Sequence, residues 1–189
     1  MIAPELVTLG ILAGGRATRL GGIDKAFVEF HGESLLTRTL RAFPHSFAER
    51  LLSYNRTPDK PMPGLRIVHD LRADHLGPLA ALEALFDACK TPWLLSVPVD
   101  IRDWPPLLAG ELLQRAEQGA ACVVVSDADG LQPLIGLWNV AALRESVAAA
   151  LDSGERAVHR WLAPQALLIH DIAPLRLGNL NSTADFSTH

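Results

Sequence analysis

Residues 9–25 read Leu-Gly-Ile-Leu-Ala-Gly-Gly-Arg-Ala-Thr-Arg-Leu-Gly-Gly-Ile-Asp-Lys, a hydrophobic run that opens into a glycine- and arginine-rich loop and ends on a lysine. Gly14 and Gly15 let the backbone approach a ligand closely, with no Cβ atoms in the way. Successive N–H groups in such a turn form an anion-binding concavity. Arg16, Arg19 and Lys25 add positive charge where phosphates would sit. Together these parts suit the holding of a nucleoside triphosphate. The spacing is neither G-x-x-x-x-G-K-[ST] nor G-x-G-x-x-G, so the loop is a third phosphate-binding arrangement or a plain strand-to-helix turn. The two arginines and the Asp24-Lys25 pair favour phosphate, because a plain turn has no need of them.

Two aspartates close apolar runs further along. Asp100 ends Leu94-Leu-Ser-Val-Pro-Val-Asp100, and Asp70 follows Arg66-Ile-Val-His69. A carboxylate at a strand's carboxyl end, facing a phosphate loop, is a natural Mg²⁺ ligand, since that ion takes one or two carboxylates with phosphate and water oxygens. The plainer role is a turn or helix-cap carboxylate. The phosphate loop tips Asp100 toward metal. Asp103 is assigned to capping the next helix. Asp70 is a candidate nucleotide contact. His69 and His75 read as loop histidines, and Gly77 permits a second close backbone approach before a helix. Near the end, Asn179 and Asn181 precede a Ser182/Thr183…Asp185 capping pattern.

The elements that must position these groups alternate in type. Strands are expected over residues 6–12, 50–54, 65–68, 93–99, 120–126, 134–138 and 166–170, with a short extended piece over 26–30 closed by His31-Gly32. Helices are expected over 34–43, 79–89, 106–117 and 140–151, with another over 156–162. Residues 55–64, with three prolines and a glycine, read as loop. Alternation of strand and helix predicts an α/β fold, a mostly parallel central sheet with helices on both faces. The uniformly apolar strands agree, because both faces of each are covered. Ligands of such sheets bind beyond the carboxyl ends of the strands. The loop at 14–25, Asp70 and Asp100 should therefore meet in one crevice. Cys89, Cys122 and the four tryptophans are read as packing residues.

Composition bounds the rest. At 189 residues, with 49% hydrophobic and 20% charged residues, the chain suits one domain with a full core, spanning 1–189. A net charge of −4 disfavours nucleic acid as a partner, so the cationic loop suits a small anionic ligand. Histidine and cysteine spacings offer no zinc site. No apolar run approaches the length of about 18 residues that spans a membrane, and the N-terminus lacks a signal-peptide pattern. A cytoplasmic protein is expected.

Leu12-Ala-Gly-Gly15, Arg19-Leu-Gly and Asp24-Lys25 resemble the signature of the nucleotidyltransferases with a three-layer, Rossmann-like α/β fold. Asp70, Gly77-Pro-Leu-Ala80, Pro98-Val-Asp100, Gln132-Pro-Leu and Asn179-Leu-Asn181-Ser-Thr are similar to one branch, the molybdenum cofactor guanylyltransferases. The likeness runs over residues 7–186. It implies transfer of GMP from GTP to the terminal phosphate of molybdopterin, giving the guanine dinucleotide cofactor and pyrophosphate, with Mg²⁺ required. It also implies that Leu12, Ala13 and Gly14 hold the guanosine by backbone contacts, with Gly15 in the same loop. By the same likeness, Lys25, helped by Arg19, would neutralise the triphosphate. Asp70 would contact nucleotide, Asp100 would bind nucleotide and Mg²⁺, and Asn181 would lie on the pterin side. Molybdoenzymes or their chaperones are the implied transient partners. Three departures stand out. Ser53 occupies a place where asparagine is common, with Asn55 the nearest substitute. Ala81 replaces a usual glycine, and Ile101-Arg-Asp-Trp-Pro replaces a tighter Asp-x-Pro. Cytidylyl transfer to the same pterin, and a non-catalytic nucleotide- or pterin-binding module, remain the alternatives.

Overall fold

The computed structural model describes residues 2–13, 24–44, 46–57, 62–73, 76–180 and 183–186. Seven strands form the central sheet in the order β5-β4-β1-β6-β8-β7-β9. They are β1 (Val7–Leu12), β4 (Glu49–Ser53), β5 (Arg66–Val68), β6 (Trp93–Pro98), β7 (Cys122–Asp127), β8 (Gly130–Asn139) and β9 (Leu167–Asp171). Only β8 runs against its neighbours among these strands. A two-residue hairpin, β2 (Glu29–Phe30) with β3 (Glu33–Ser34), stands apart. Its turn has His31 at φ 54° and Gly32 at φ 78°, the doubly left-handed geometry that suits tight hairpins.

The predicted alternation is present, and it produces three layers. Along each strand, successive side chains enter opposite cores. Leu9, Ile11, Leu95, Val97, Val123 and Leu137 pack with α1 (Leu35–Ala42) and α3 (Leu108–Ala116). Leu51, Leu94, Cys122, Val124 and Trp138 pack with α2 (Pro78–Ala88), α4 (Val140–Asp152) and α5 (Val158–Leu162). At Gly10 of β1, an added Cβ would lie 3.0 Å from Leu85 of α2, so the missing side chain lets that helix approach the sheet closely. Both cysteines are free and buried, and all four tryptophans are buried or half-buried.

Three local expectations are corrected. The extended piece expected over 26–30 is present only at Glu29–Phe30, closed by the expected His31-Gly32 turn, and Lys25–Phe27 is instead a 3₁₀ turn that Asp24 caps through Ala26 N–H at 3.1 Å. The sixth strand begins at Gly130, not 134. Pro133 hides it in the sequence, and a register shift between Val124 and Val125 accommodates the irregularity. Asp103 does not cap α3, whose N-cap is Leu107 with no side-chain bond.

Candidate active site

The register of the four parallel strands sets the site. Val68, Ser53, Leu12 and Pro98 lie abreast, so the residues one or two places beyond them share one edge of the sheet. That edge receives Asp70 from β5, Tyr54 and Asn55 from β4, Ala13 from β1, and Asp100 from β6. Backbone bonds continue past the strand ends: Ala13 N–H donates to Ser53 O at 3.1 Å, Val99 N–H to Leu12 O at 3.1 Å, and Tyr54 N–H to Val68 O at 2.9 Å. The row is therefore fixed by the sheet rather than by free loops.

A line of side-chain contacts crosses it. Lys25 Nζ donates to Asp100 Oδ2 at 2.6 Å, both side chains being 23% exposed. Next to Lys25, Asp24 accepts from the Tyr54 hydroxyl. Next to Tyr54, Asn55 Nδ2 donates to Asp70 Oδ2 at 2.8 Å, and Asn55 Oδ1 accepts from Asp70 N–H at 2.8 Å. Of the groups expected to meet in one crevice, Lys25 touches Asp100, while Asp70 lies along the same edge with β4 and β1 between β5 and β6, and Leu12 and Ala13 border that edge. Gly14, Gly15, Arg16, Arg19 and Asn181 lie outside the described residues.

The segment leading to Asn181 is nonetheless placed. Leu180 N–H donates to Asp100 O at 2.8 Å, Ile101 bridges Asn179, and Arg102 N–H donates to Gly178 O. Asp127, buried at the end of β7, receives Leu177 N–H on Oδ2 and both Asp129 N–H and Gln132 Nε2 on Oδ1. Its position after an apolar strand was the same signal that singled out Asp70 and Asp100, but its job is to fasten the C-terminal segment beside Asp100. Tyr54 gave no sequence signal, because its function depends on meeting a residue 30 positions away.

Two buried oxygens at this edge, Ser53 Oγ and Asp70 Oδ1, have no hydrogen-bond partner among the described residues. Buried polar atoms are normally satisfied, and an unpartnered carboxylate oxygen invites a donor. For metal, no group of three or more His, Cys, Asp or Glu gathers among the described residues. Asp100 has the chemistry to serve a hard cation of the kind that takes one carboxylate, with phosphate and water oxygens completing its shell. Lys25 places an ammonium group beside Asp100 at the same edge. No helix among the described residues is long and apolar enough to cross a membrane.

Comparison with known proteins adds an independent line. The family described as MobA-like NTP transferase domain matches residues 9–167. A molybdenum cofactor guanylyltransferase of Polynucleobacter asymbioticus is 36% identical over 167 residues, covering 85% of this chain and 83% of that protein. One of Cupriavidus necator is 34% identical over 199 residues, covering 100% and 98%. Among solved structures, the molybdopterin-guanine dinucleotide biosynthesis protein A of Archaeoglobus fulgidus superposes with a TM-score of 0.74 at 18% identity, covering 95% and 94%, a likeness of fold.

Proposed function

The chain belongs to the molybdenum cofactor guanylyltransferase family of MobA-like NTP transferases and is a nucleotidyltransferase, and from that premise we propose that it transfers GMP from GTP to the terminal phosphate of molybdopterin. A phosphate oxygen of the acceptor attacks the α-phosphorus, the bond to the β-phosphate breaks, and pyrophosphate leaves with the electron pair. The nucleophile is already ionised at neutral pH, so no general base is required. Positioning and charge stabilisation carry the reaction.

The observation that carries this reading is the Lys25–Asp100 pair at the common strand edge. Leu12 and Ala13, at the end of β1, offer backbone to the guanosine, continued by Gly14 and Gly15. Lys25, with Arg19, meets the triphosphate and stabilises charge that grows on the non-bridging oxygens and the departing pyrophosphate. Asp70 offers its unpartnered Oδ1 to a nucleotide donor. Asn181, which follows in sequence the residue tied to Asp100, is assigned to the acceptor. Asp100 would hold Mg²⁺, which when bound would supply further charge neutralisation at the phosphates. The whole of 1–189 acts as one domain in the cytoplasm, and molybdoenzymes or their chaperones receive the product.

The test is titration of GTP, CTP and ATP into the protein with Mg²⁺, followed by pyrophosphate release with molybdopterin added. Selective GTP binding and acceptor-dependent release are expected. Preference for CTP overturns the guanine assignment but keeps the reaction. Nucleotide binding without release in the presence of acceptor overturns the enzyme reading in favour of a binding module.

A further inference from the structure

The site has two separate carboxylate centres, and one dipeptide touches Asp70 at one and the turn carrying Lys25 at the other. Tyr54 and Asn55 follow Ser53, the last residue of β4, which lies between β1 and β5. Their side chains part to opposite sides. The Tyr54 hydroxyl donates to Asp24, the residue that caps the 3₁₀ turn carrying Lys25. The Tyr54 ring, 5% exposed, stands edge-on to Phe27 at 6.0 Å and 89°. Phe27 is the last residue of that turn. Tyr54 thus grips the turn on both sides of Lys25. Asn55 meanwhile holds Asp70 by two reciprocal bonds of 2.8 Å, one to its side chain and one to its backbone.

We propose that Tyr54–Asn55 is the positioning element that sets Lys25 against Asp100 on one side and fixes Asp70 on the other. The proposal rests on the reading of Lys25, Asp100 and Asp70 as nucleotide-handling groups. Neither residue of the dipeptide touches the reacting atoms. Each acts through a neighbour: Tyr54 through Asp24 on the phosphate half, Asn55 directly on Asp70. Hydrogen bonds to charged groups are strong enough to hold side chains in one geometry, and small misplacements at a phosphoryl-transfer site are costly in rate. The division of labour has a kinetic signature. Loosening Lys25 weakens stabilisation that grows in the transition state, which lowers kcat. Loosening Asp70 weakens a contact already made in the ground state, which raises KM.

Two substitutions separate these effects. Tyr54→Phe keeps the ring against Phe27 and removes only the hydroxyl, and kcat is expected to fall about tenfold with KM for GTP within about twofold. Asn55→Asp keeps the shape and the acceptor for Asp70 N–H but sets a carboxylate against a carboxylate. It is expected to raise KM for GTP about tenfold with kcat within about twofold. A purely structural role would lower the melting temperature and leave both constants in their wild-type ratio. Asp24→Ala cuts the Tyr54 link from its other end and should reproduce the kcat loss even if Tyr54→Phe fails to fold. Asp24→Asn can still accept from Ala26 N–H and bond the hydroxyl, so it should retain most of the rate. Wild-type constants in Tyr54→Phe and Asn55→Asp, or equal changes of kcat and KM in both, overturn the proposal. Full turnover in Lys25→Ala and Asp100→Asn overturns instead the underlying assignment of the site.

Discussion

Asp100 and Asp70 stand two residues beyond Pro98 and Val68, the last residues of β6 and β5, and the chain partners them in opposite ways. Asp100 is balanced by an ammonium group, Lys25 Nζ, at 2.6 Å. Asp70 is held by a neutral amide that grips both its side chain and its backbone. Under the proposed function, an ion pair at a partly exposed edge would be exchangeable: a triphosphate would compete for the lysine, and a metal cation for the carboxylate. The amide clasp is not displaced by ions, and it leaves one buried acceptor, Asp70 Oδ1, unpartnered. The difference teaches that two carboxylates with the same place in the sheet suit different work. Under the proposed function, the ion-paired one would change partners as charge moves, and the clasped one would present a fixed acceptor.

The sharpest test of that distinction is also the largest effect. Asp100→Asn and Lys25→Ala should each remove about 2–4 kcal/mol of transition-state stabilisation, the scale of losing one electrostatic group. Melting temperature should barely move, since both residues lie beyond the strand ends. Asp70→Asn should chiefly raise KM for GTP and leave kcat near its wild-type value. Steady-state pyrophosphate release measures all three, and an Asp70→Asn loss in kcat as deep as that of Asp100→Asn breaks the comparison.

A smaller effect has the opposite sign. If Lys25 and a divalent cation compete for the same oxygen, then Lys25→Met, which removes the ammonium but keeps a long side chain, should bind Mn²⁺ severalfold tighter without nucleotide. The same variant should lose turnover. Paramagnetic resonance of free Mn²⁺ reads the first, and unchanged metal affinity would show that the pair is not exchangeable.

Smaller again is the effect behind Asp70. Arg72 fastens the segment after it, donating to Glu83 of α2 at 2.6 and 2.8 Å and to Asp152 of α4 at 2.6 Å. Arg72→Ala leaves the buried Glu83 unpaired, so the melting temperature should fall while KM for GTP rises a fewfold and kcat holds. A kcat loss without a KM change would show that the two strand ends are not independent.

How much of this was readable beforehand differs between the same regions. Asp70 and Asp100 were legible because each ends an apolar run, and the strand-end rule of α/β sheets converts that position into a site. Lys25 was legible from the arginines and glycines around it. The layers followed from strands too apolar to face water on either side. Tyr54 was not legible, since a tyrosine after a strand carries no local pattern and acquires its role only when β4 is laid beside β1. Asp127 shows the limit of the strand-end rule. It shares the sequence context of the other two aspartates, yet it belongs to the half of the sheet where β8 runs antiparallel and a tight turn replaces a crossover. Its carboxylate is therefore used up by Asp129, Gln132 and Leu177. Pro133 concealed the start of β8 for a related reason: a bulge admits a residue that a regular ladder would refuse.

The far half of the sheet supplies the control with the smallest expected effect. Cys122, at the start of β7, is fully buried, and burial pushes its thiol up to about 11. The neutral thiol is favoured in the folded chain, so its contribution to stability is complete below about 9, where an exposed thiol begins to ionise. It is withdrawn as pH rises from there through about 11, because the unfolded chain then binds fewer protons than the folded one. At pH 8 native Cys122 should resist alkylation, and treatment with iodoacetamide should leave its mass and the turnover rate unchanged, whereas in urea it should react fully. Native modification of Cys122 accompanied by loss of turnover would place working chemistry on the β7 side, and the contrast between two strand-end carboxylates would no longer account for the whole site.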